Sequence, residues 1–146
     1  MDSDIENAAV PGLWRRLAAI FYDLWLVAAL WLLGATADTF VRAGLGLGSA
    51  GFHLPLQLFL LISPAAFFSW FWTHGGQTLG MRAWRLKLLD SEGDPVTLKL
   101  SLIRLGAALL SALPLGLGYL WVLIDRDGLA WHDRLSRTRL VVLKRN

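Results

Sequence analysis

Three long apolar runs dominate the hydrophobic pattern of the chain: Leu17–Ala37, Leu54–Trp72 and Leu105–Ile124. Each run approaches the roughly 20 residues that a helix needs to cross a bilayer core. Asp23 is the one charged residue within these runs. The pattern predicts an all-α integral membrane protein with full transmembrane helices at about 17–37 and 54–72 and a third apolar segment at about 99–125. The first run is expected to remain an uncleaved span, because it is longer than a typical signal-peptide core.

The third apolar segment contains helix-breaking residues, because Pro114, Gly116 and Gly118 lie close together. Such a cluster ends a helix and starts a turn. The segment therefore forms either a hairpin of two short helical arms, 99–113 and 117–125, or a single kinked span. The hairpin is the favoured interpretation, since it leaves the basic tail on the side from which the segment entered.

The lysines and arginines, 14 in all, predict how the chain is oriented. They are concentrated in 73–104 and in the tail 126–146, and a further pair precedes the first run. Short loops rich in Lys and Arg stay in the cytoplasm. The N-terminus, the central loop and the basic tail are therefore expected inside the cell, and the Gly-rich connection 34–53 outside.

Composition narrows the class of protein further. Hydrophobic residues make up 55% of the chain and charged residues 17%, against about 45–50% and 25% in soluble domains. This composition excludes an ordinary soluble domain and a nucleic-acid reader, despite the isoelectric point of 9.8. The chain has no cysteine, and His53, His74 and His132 are far apart, so neither a metal site nor a cofactor is expected.

A small β-hairpin is predicted on the cytoplasmic side, at about 84–100. Trp84–Leu88 and Val96–Leu100 alternate apolar and polar residues, and Asp90–Pro95 between them has strong turn chemistry. Near the end of the chain, Arg139–Leu143 is strand-like and is expected to add to the hairpin edge.

The tail contains a His132–Asp133 pair whose role is open from sequence. Asp133 fits either a charge at a helix N-terminus or a partner for Arg82 or Arg85. The pair has Ser136 nearby but no triad-like order with an orienting group. We therefore expect no enzymatic activity.

Asp23 is the most informative single residue. A carboxylate within a span costs several kcal/mol unless it is paired, protonated or facing water, which makes it a functional-site hypothesis. Arg16 lies on the same helical face, but about 10 Å of rise separates the two residues, which is long for a direct salt bridge. Arg104, at the start of the third run, is the best candidate partner.

Three ordered elements are distinctive: the segment Gly12–Asp23, the segment Gly76–Arg82 with its G-x-T-x-G pattern, and His132–Leu135 followed by the strand-like Leu140–Val142. Over about residues 11–144 they resemble, in this order, the opening, the central element and the closing segment of the RDD family of small membrane proteins. The resemblance implies the family's membrane architecture over nearly the whole chain.

The resemblance also implies functional residues. The family is named for an arginine and two aspartates, which fall here on Arg16, Asp23 and Asp133, with Arg15 as the competing arginine. Thr78, Gly80 and Arg104 match as supporting residues, and Met81 stands where the family often has a lysine. For the family, transport of an unidentified ligand has been proposed, and sodium–proton exchange for some members.

Two hypotheses for function follow. The first is transport of a ligand, or exchange of cations for protons through Asp23, by a homo-oligomer. The second is a non-transporting accessory or scaffold protein that binds anionic lipid or a partner membrane protein. Both imply a multi-pass protein of a bacterial cell membrane that contacts lipid and binds no nucleic acid.

Overall fold

The computed structural model describes residues 9–47 and 53–144. Two of its helices, α1 (Leu13–Gly44) and α2 (Leu54–Thr73), are long and apolar enough to cross a membrane. Helix α1 runs past the predicted span end at residue 37, and its 32 residues are about 48 Å long. It therefore occupies much of the predicted external connection, of which residues 48–52 lie outside the described residues.

Helix α1 buries one narrow stripe and leaves the rest of its surface exposed. The buried residues recur every three or four positions and are Arg16, Ala19, Asp23 and Val27. Helix α2 packs against α1, where the Trp31 Nε1 donates a hydrogen bond to the Ser63 Oγ at 3.1 Å. The two buried charged residues of α1, Arg16 and Asp23, consequently face the protein and not the surface that a bilayer would contact.

A short helix and a strand follow α2. Helix α3 (Leu79–Ala83) packs against α1, and Thr78 caps its start by accepting a hydrogen bond from the Met81 amide. Strand β1 (Leu86–Asp90) comes next, and its Leu86 and Leu88 are fully buried. They form a core with Met81 of α3 and with residues of α1 and α2.

The predicted antiparallel β element is present, but its second strand is not the expected one. Strand β1 pairs with β2 (Thr138–Val142), the tail segment predicted as an added edge. The assignment of 96–100 to a strand is wrong. Thr97 accepts a hydrogen bond from the Leu100 amide and caps helix α4 (Leu98–Ala112). An alternation over only five residues is also compatible with the first turns of a helix, so the pattern in 96–100 did not distinguish a strand from a helix start.

The predicted break in the third apolar segment is present. Helix α4 ends before Pro114, and α5 (Leu117–Leu120), extended by a 3₁₀ turn at Trp121–Leu123, leaves at an angle of 106°. Gly116 provides the left-handed backbone at the bend, with a φ of 77°. Gly118 lies so close to Ser111 that a Cβ there would collide with it. The two arms therefore fold back against each other.

Three distant parts of the chain meet at one end of the molecule. Strand β2 pairs with β1 and also donates a hydrogen bond from the Val142 amide to the Ala9 carbonyl, at 3.0 Å. Helix α6 (Trp131–Leu135) leads into β2. The first eight residues and residues 145–146, which the charge pattern also predicts inside the cell, lie outside the described residues.

Candidate functional site

Asp133, at the start of α6, joins three segments of the chain. Its Oδ2 accepts a hydrogen bond from the Arg16 Nη1 at 2.5 Å, and its Oδ1 accepts one from the Arg104 Nη1 at 2.6 Å. The Ala130 amide donates to Oδ2 at 3.0 Å. Asp133 is 1% exposed, so these donors replace its hydration. We call Arg16, Arg104 and Asp133 the arginine–aspartate cluster.

Both arginines of the cluster are held by further contacts. Arg16 donates from Nε to the Pro11 carbonyl at 3.2 Å and from Nη2 to the Gly128 carbonyl at 2.9 Å. Arg104 donates from Nη1 to the Thr138 Oγ1 at 2.6 Å. Its guanidinium carbon lies 5.4 Å from the ring centroid of Trp72, within cation–π range. The cluster thus ties α1, α4 and the tail together.

The charges of the cluster do not cancel. Burial raises the pKa of Asp133, but Arg104 and Arg16 outweigh burial and hold that pKa well below its usual range. Burial, assisted by the charge of Arg104, lowers the pKa of the neighbouring His132 to about 3. The imidazole is therefore neutral at pH 7. Two arginines and one carboxylate leave the cluster with one net positive charge.

Asp23 has different partners. The Thr78 hydroxyl donates to its Oδ2 at 2.5 Å, and the Gly80 amide donates to its Oδ1 at 2.9 Å. The carboxylate is 3% exposed. A Cβ on Gly80 would collide with the Ala19 carbonyl oxygen and with the Asp23 carboxylate. Only glycine at this position lets α3 approach α1 closely enough for the amide to reach the carboxylate.

The expected pairing of Asp23 with Arg104 is wrong, because Arg104 donates to Asp133 instead. Arg16 also donates to Asp133. Neither of the two arginines considered as partners of Asp23 therefore pairs with Asp23. The α1 face places Arg16 about two turns closer to the end of the molecule where the tail packs. Neutral donors on α3 satisfy Asp23 there without a cation.

The site also decides two other questions that the sequence left open, the partners of Asp133 and the choice between Arg15 and Arg16. Asp133 does lie at a helix N-terminus, but its arginine partners are not Arg82 or Arg85. Arg15 is exposed, so Arg16 is the arginine that the cluster uses. Sequence reasoning missed Thr138 and the main-chain acceptors of Arg16, since no local pattern marks them. It also missed Trp72, which is buried beneath Arg104.

A cavity of about 270 Å³ connects the two groups. Its polar lining comes from Asp23, Arg16, Arg104, Tyr119 and His132, which line it together with a larger number of apolar side chains. An apolar cavity with a few converging polar groups is the usual form of a binding site.

These features define the class of protein: a helical membrane protein with two apolar helices of spanning length, or three if the bent pair is one span. The model of the RDD family matches residues 10–137, and the chain belongs to the RDD family. No curated protein matches the chain, and no solved structure matches it either.

Proposed function

We propose that this chain transports a small ligand, or exchanges cations for protons, across a bacterial cell membrane, with Asp23 as the exchanging group. The observation that carries the proposal is the cavity that reaches the buried Asp23 from the arginine–aspartate cluster. A carboxylate at membrane depth is typical of proton and cation pathways. The proposal assigns no catalytic reaction to the chain.

We propose that both termini lie in the cytoplasm. The pairing of β1 with β2, and the hydrogen bond from Val142 to Ala9, support this orientation because they hold the N-terminal segment, the central segment and the tail at one end. With α1 and α2 each crossing once, the α4–α5 pair must then re-enter without crossing. The many lysines and arginines at this end agree with the positive-inside rule.

Asp23 and the arginine–aspartate cluster would have different roles in transport. Asp23 is held by a hydroxyl and an amide, which a cation or a proton can replace or supplement. The arginine–aspartate cluster would act as a fixed clamp that holds α1 and α4 in place around the cavity. Because a single chain has few helices to shelter a path, we propose a homo-oligomer whose helices pack through small residues such as Ala28 and Ala29.

The test is flux through Asp23→Asn in proteoliposomes, measured as cation-dependent proton movement with a pH-sensitive dye. We expect loss of flux, because the amide can no longer bind or release a proton. Asp94→Asn, which changes an exposed turn residue in the same way, should retain it. Unchanged flux in Asp23→Asn would rule out exchange at this carboxylate.

A second candidate is a non-transporting accessory protein that binds anionic lipid or a partner membrane protein. Each oxygen of the buried Asp23 carboxylate accepts a hydrogen bond, which favours this candidate because the same geometry serves to fix α3 on α1. Exposed cations beside the sheet, such as Arg82, Arg85 and Arg137, would contact anionic headgroups at roughly 1 kcal/mol each. Labelling of Asp23→Cys by an impermeant thiol reagent would favour transport, and protection of that cysteine would favour this candidate.

A further inference from the structure

Two N–H groups of Arg104 have no hydrogen-bond acceptor in the part of the chain that the structure describes. Its Nη1 donates to both Asp133 and Thr138. Its Nε and Nη2 donate no hydrogen bond to any of residues 9–47 and 53–144. These two N–H groups lie side by side on one edge of the guanidinium, which is the geometry that binds a carboxylate through two parallel hydrogen bonds.

This unused edge belongs to a side chain that is almost completely buried. Arg104 is 4% exposed, and it lines the 270 Å³ cavity. Its Nε and Nη2, which have no partner among the described residues, are not fully enclosed by protein atoms, so they retain contact with open space. Trp72 on one side and Asp133 on the other hold the guanidinium plane in place. The edge is thus preorganised at the cavity.

Charge and lining together indicate what would bind there. The arginine–aspartate cluster carries one net positive charge, and the two paired donors of Arg104 suit an anionic group. Most of the cavity wall is apolar, with Phe68, Leu105 and Ala108 among its side chains. The carboxylate that lines the cavity, Asp23, already accepts hydrogen bonds from Thr78 and Gly80. A matching ligand would have an anionic head and a short hydrocarbon tail.

We propose that the cavity binds an amphipathic carboxylate of the fatty-acid type, with its head on the Nε and Nη2 of Arg104 and its tail along the apolar wall. His132, beside the cluster, contributes no charge to the site at neutral pH. The proposal does not depend on exchange at Asp23, because the site is defined by Arg104 and by the apolar wall.

Binding is tested with carboxyl-¹³C decanoate added to the purified full chain in an uncharged detergent, followed by NMR of the labelled carboxylate. We expect a saturable shift at one decanoate per chain. Decanol, which has the tail without the charge, and acetate, which has the charge without the tail, should not displace decanoate at matched concentration. Non-saturable partitioning, or displacement by decanol as effective as by unlabelled decanoate, would overturn the proposal.

The substitution Arg104→Lys keeps the positive charge near Asp133 but removes the paired donors. It should weaken decanoate binding about tenfold, the loss expected for one charged hydrogen bond. Arg126→Lys, the same change at an exposed position, should leave binding unchanged. Equal affinity in Arg104→Lys and the parent chain would refute the role of Arg104.

A second variant keeps the proposal testable if Arg104→Lys does not fold. Ala108→Phe fills the apolar part of the cavity and leaves the cluster intact. It should abolish the saturable shift, and an unchanged shift would place decanoate outside this cavity. Because the assay measures binding and not flux, its outcome is separate from that of the Asp23→Asn transport test.

Discussion

The two buried carboxylates of this protein are held in opposite ways. Asp133 accepts hydrogen bonds from two guanidinium groups and one amide, whereas Asp23 accepts from one hydroxyl and one amide. Both side chains are at most 3% exposed. The difference lies therefore in the charge of the donors and not in the degree of burial.

This difference suggests different roles. A charged donor binds a carboxylate about twice as strongly as a neutral one, and it binds only the ionised form well. Asp133 is thus locked as an anion within a clamp that joins α1, α4 and the tail. Asp23 has no arginine or lysine partner among the described residues, so exchange of a proton or a cation costs less free energy at Asp23 than at Asp133. A fixed charge and an exchangeable one then lie along the same cavity.

Removing each carboxylate in turn is the strongest test of this contrast. Asp133→Asn removes the carboxylate that both buried arginines contact, and we expect it to lower the free energy of unfolding by about 3–5 kcal/mol. Asp23→Asn retains a carbonyl that can accept one of the two hydrogen bonds, and a loss of about 1–2 kcal/mol is expected.

Thermal unfolding in detergent, followed by circular dichroism, measures both losses. Asp127→Asn is the matched control, since its side chain is 67% exposed and pairs with the exposed Arg134. A loss for Asp133→Asn no larger than that for Asp127→Asn would show that the cluster does not act as a clamp.

Gly80 lets its own amide donate to Asp23, so adding a methyl group at position 80 should disturb the contact between α3 and α1 and leave the arginine–aspartate cluster in place. Gly80→Ala would bring a Cβ against the Ala19 carbonyl and the Asp23 carboxylate, and overpacking of this kind costs about 1–3 kcal/mol. Gly106→Ala in α4, where a Cβ meets nothing within 4 Å, should be neutral or stabilising. Equal unfolding temperatures for the two variants would mean that α3 can move away from α1 freely.

The long apolar helices and the break between α4 and α5 were predictable from sequence, because they depend on local composition and on Pro114 and Gly116. The partner of β1 was less accessible, since alternation over 96–100 is too short to separate a strand from the start of a helix. Pairing with β2 brings together residues that are about 50 positions apart, and no local pattern encodes that distance.

Residues of the site were easier to identify than their partners. Arg16, Asp23 and Asp133 stand out as charges or motif residues, but sequence does not tell which arginine meets which carboxylate. The expectation that a carboxylate at membrane depth needs a cation led to the wrong pairing of Asp23 with Arg104. Thr78 and Gly80, in the G-x-T-x-G segment, were the signal for the actual partners.

His132 provides the finest distinction between the two regions, because it contacts the arginine–aspartate cluster and not the donors of Asp23. The pKa of His132 is about 3 in the folded chain, against an ordinary value of 6.5 for the unfolded chain. Between these two pH values the imidazole is protonated in the unfolded chain and neutral in the folded chain. Stability should therefore fall as pH is lowered through this window, by about 1.4 kcal/mol per pH unit below pH 6. His132→Gln should remove this slope, whereas His74→Gln, at an exposed histidine, should keep it. If His132→Gln retained the full slope, the acid sensitivity would come from another group and not from the buried imidazole of His132.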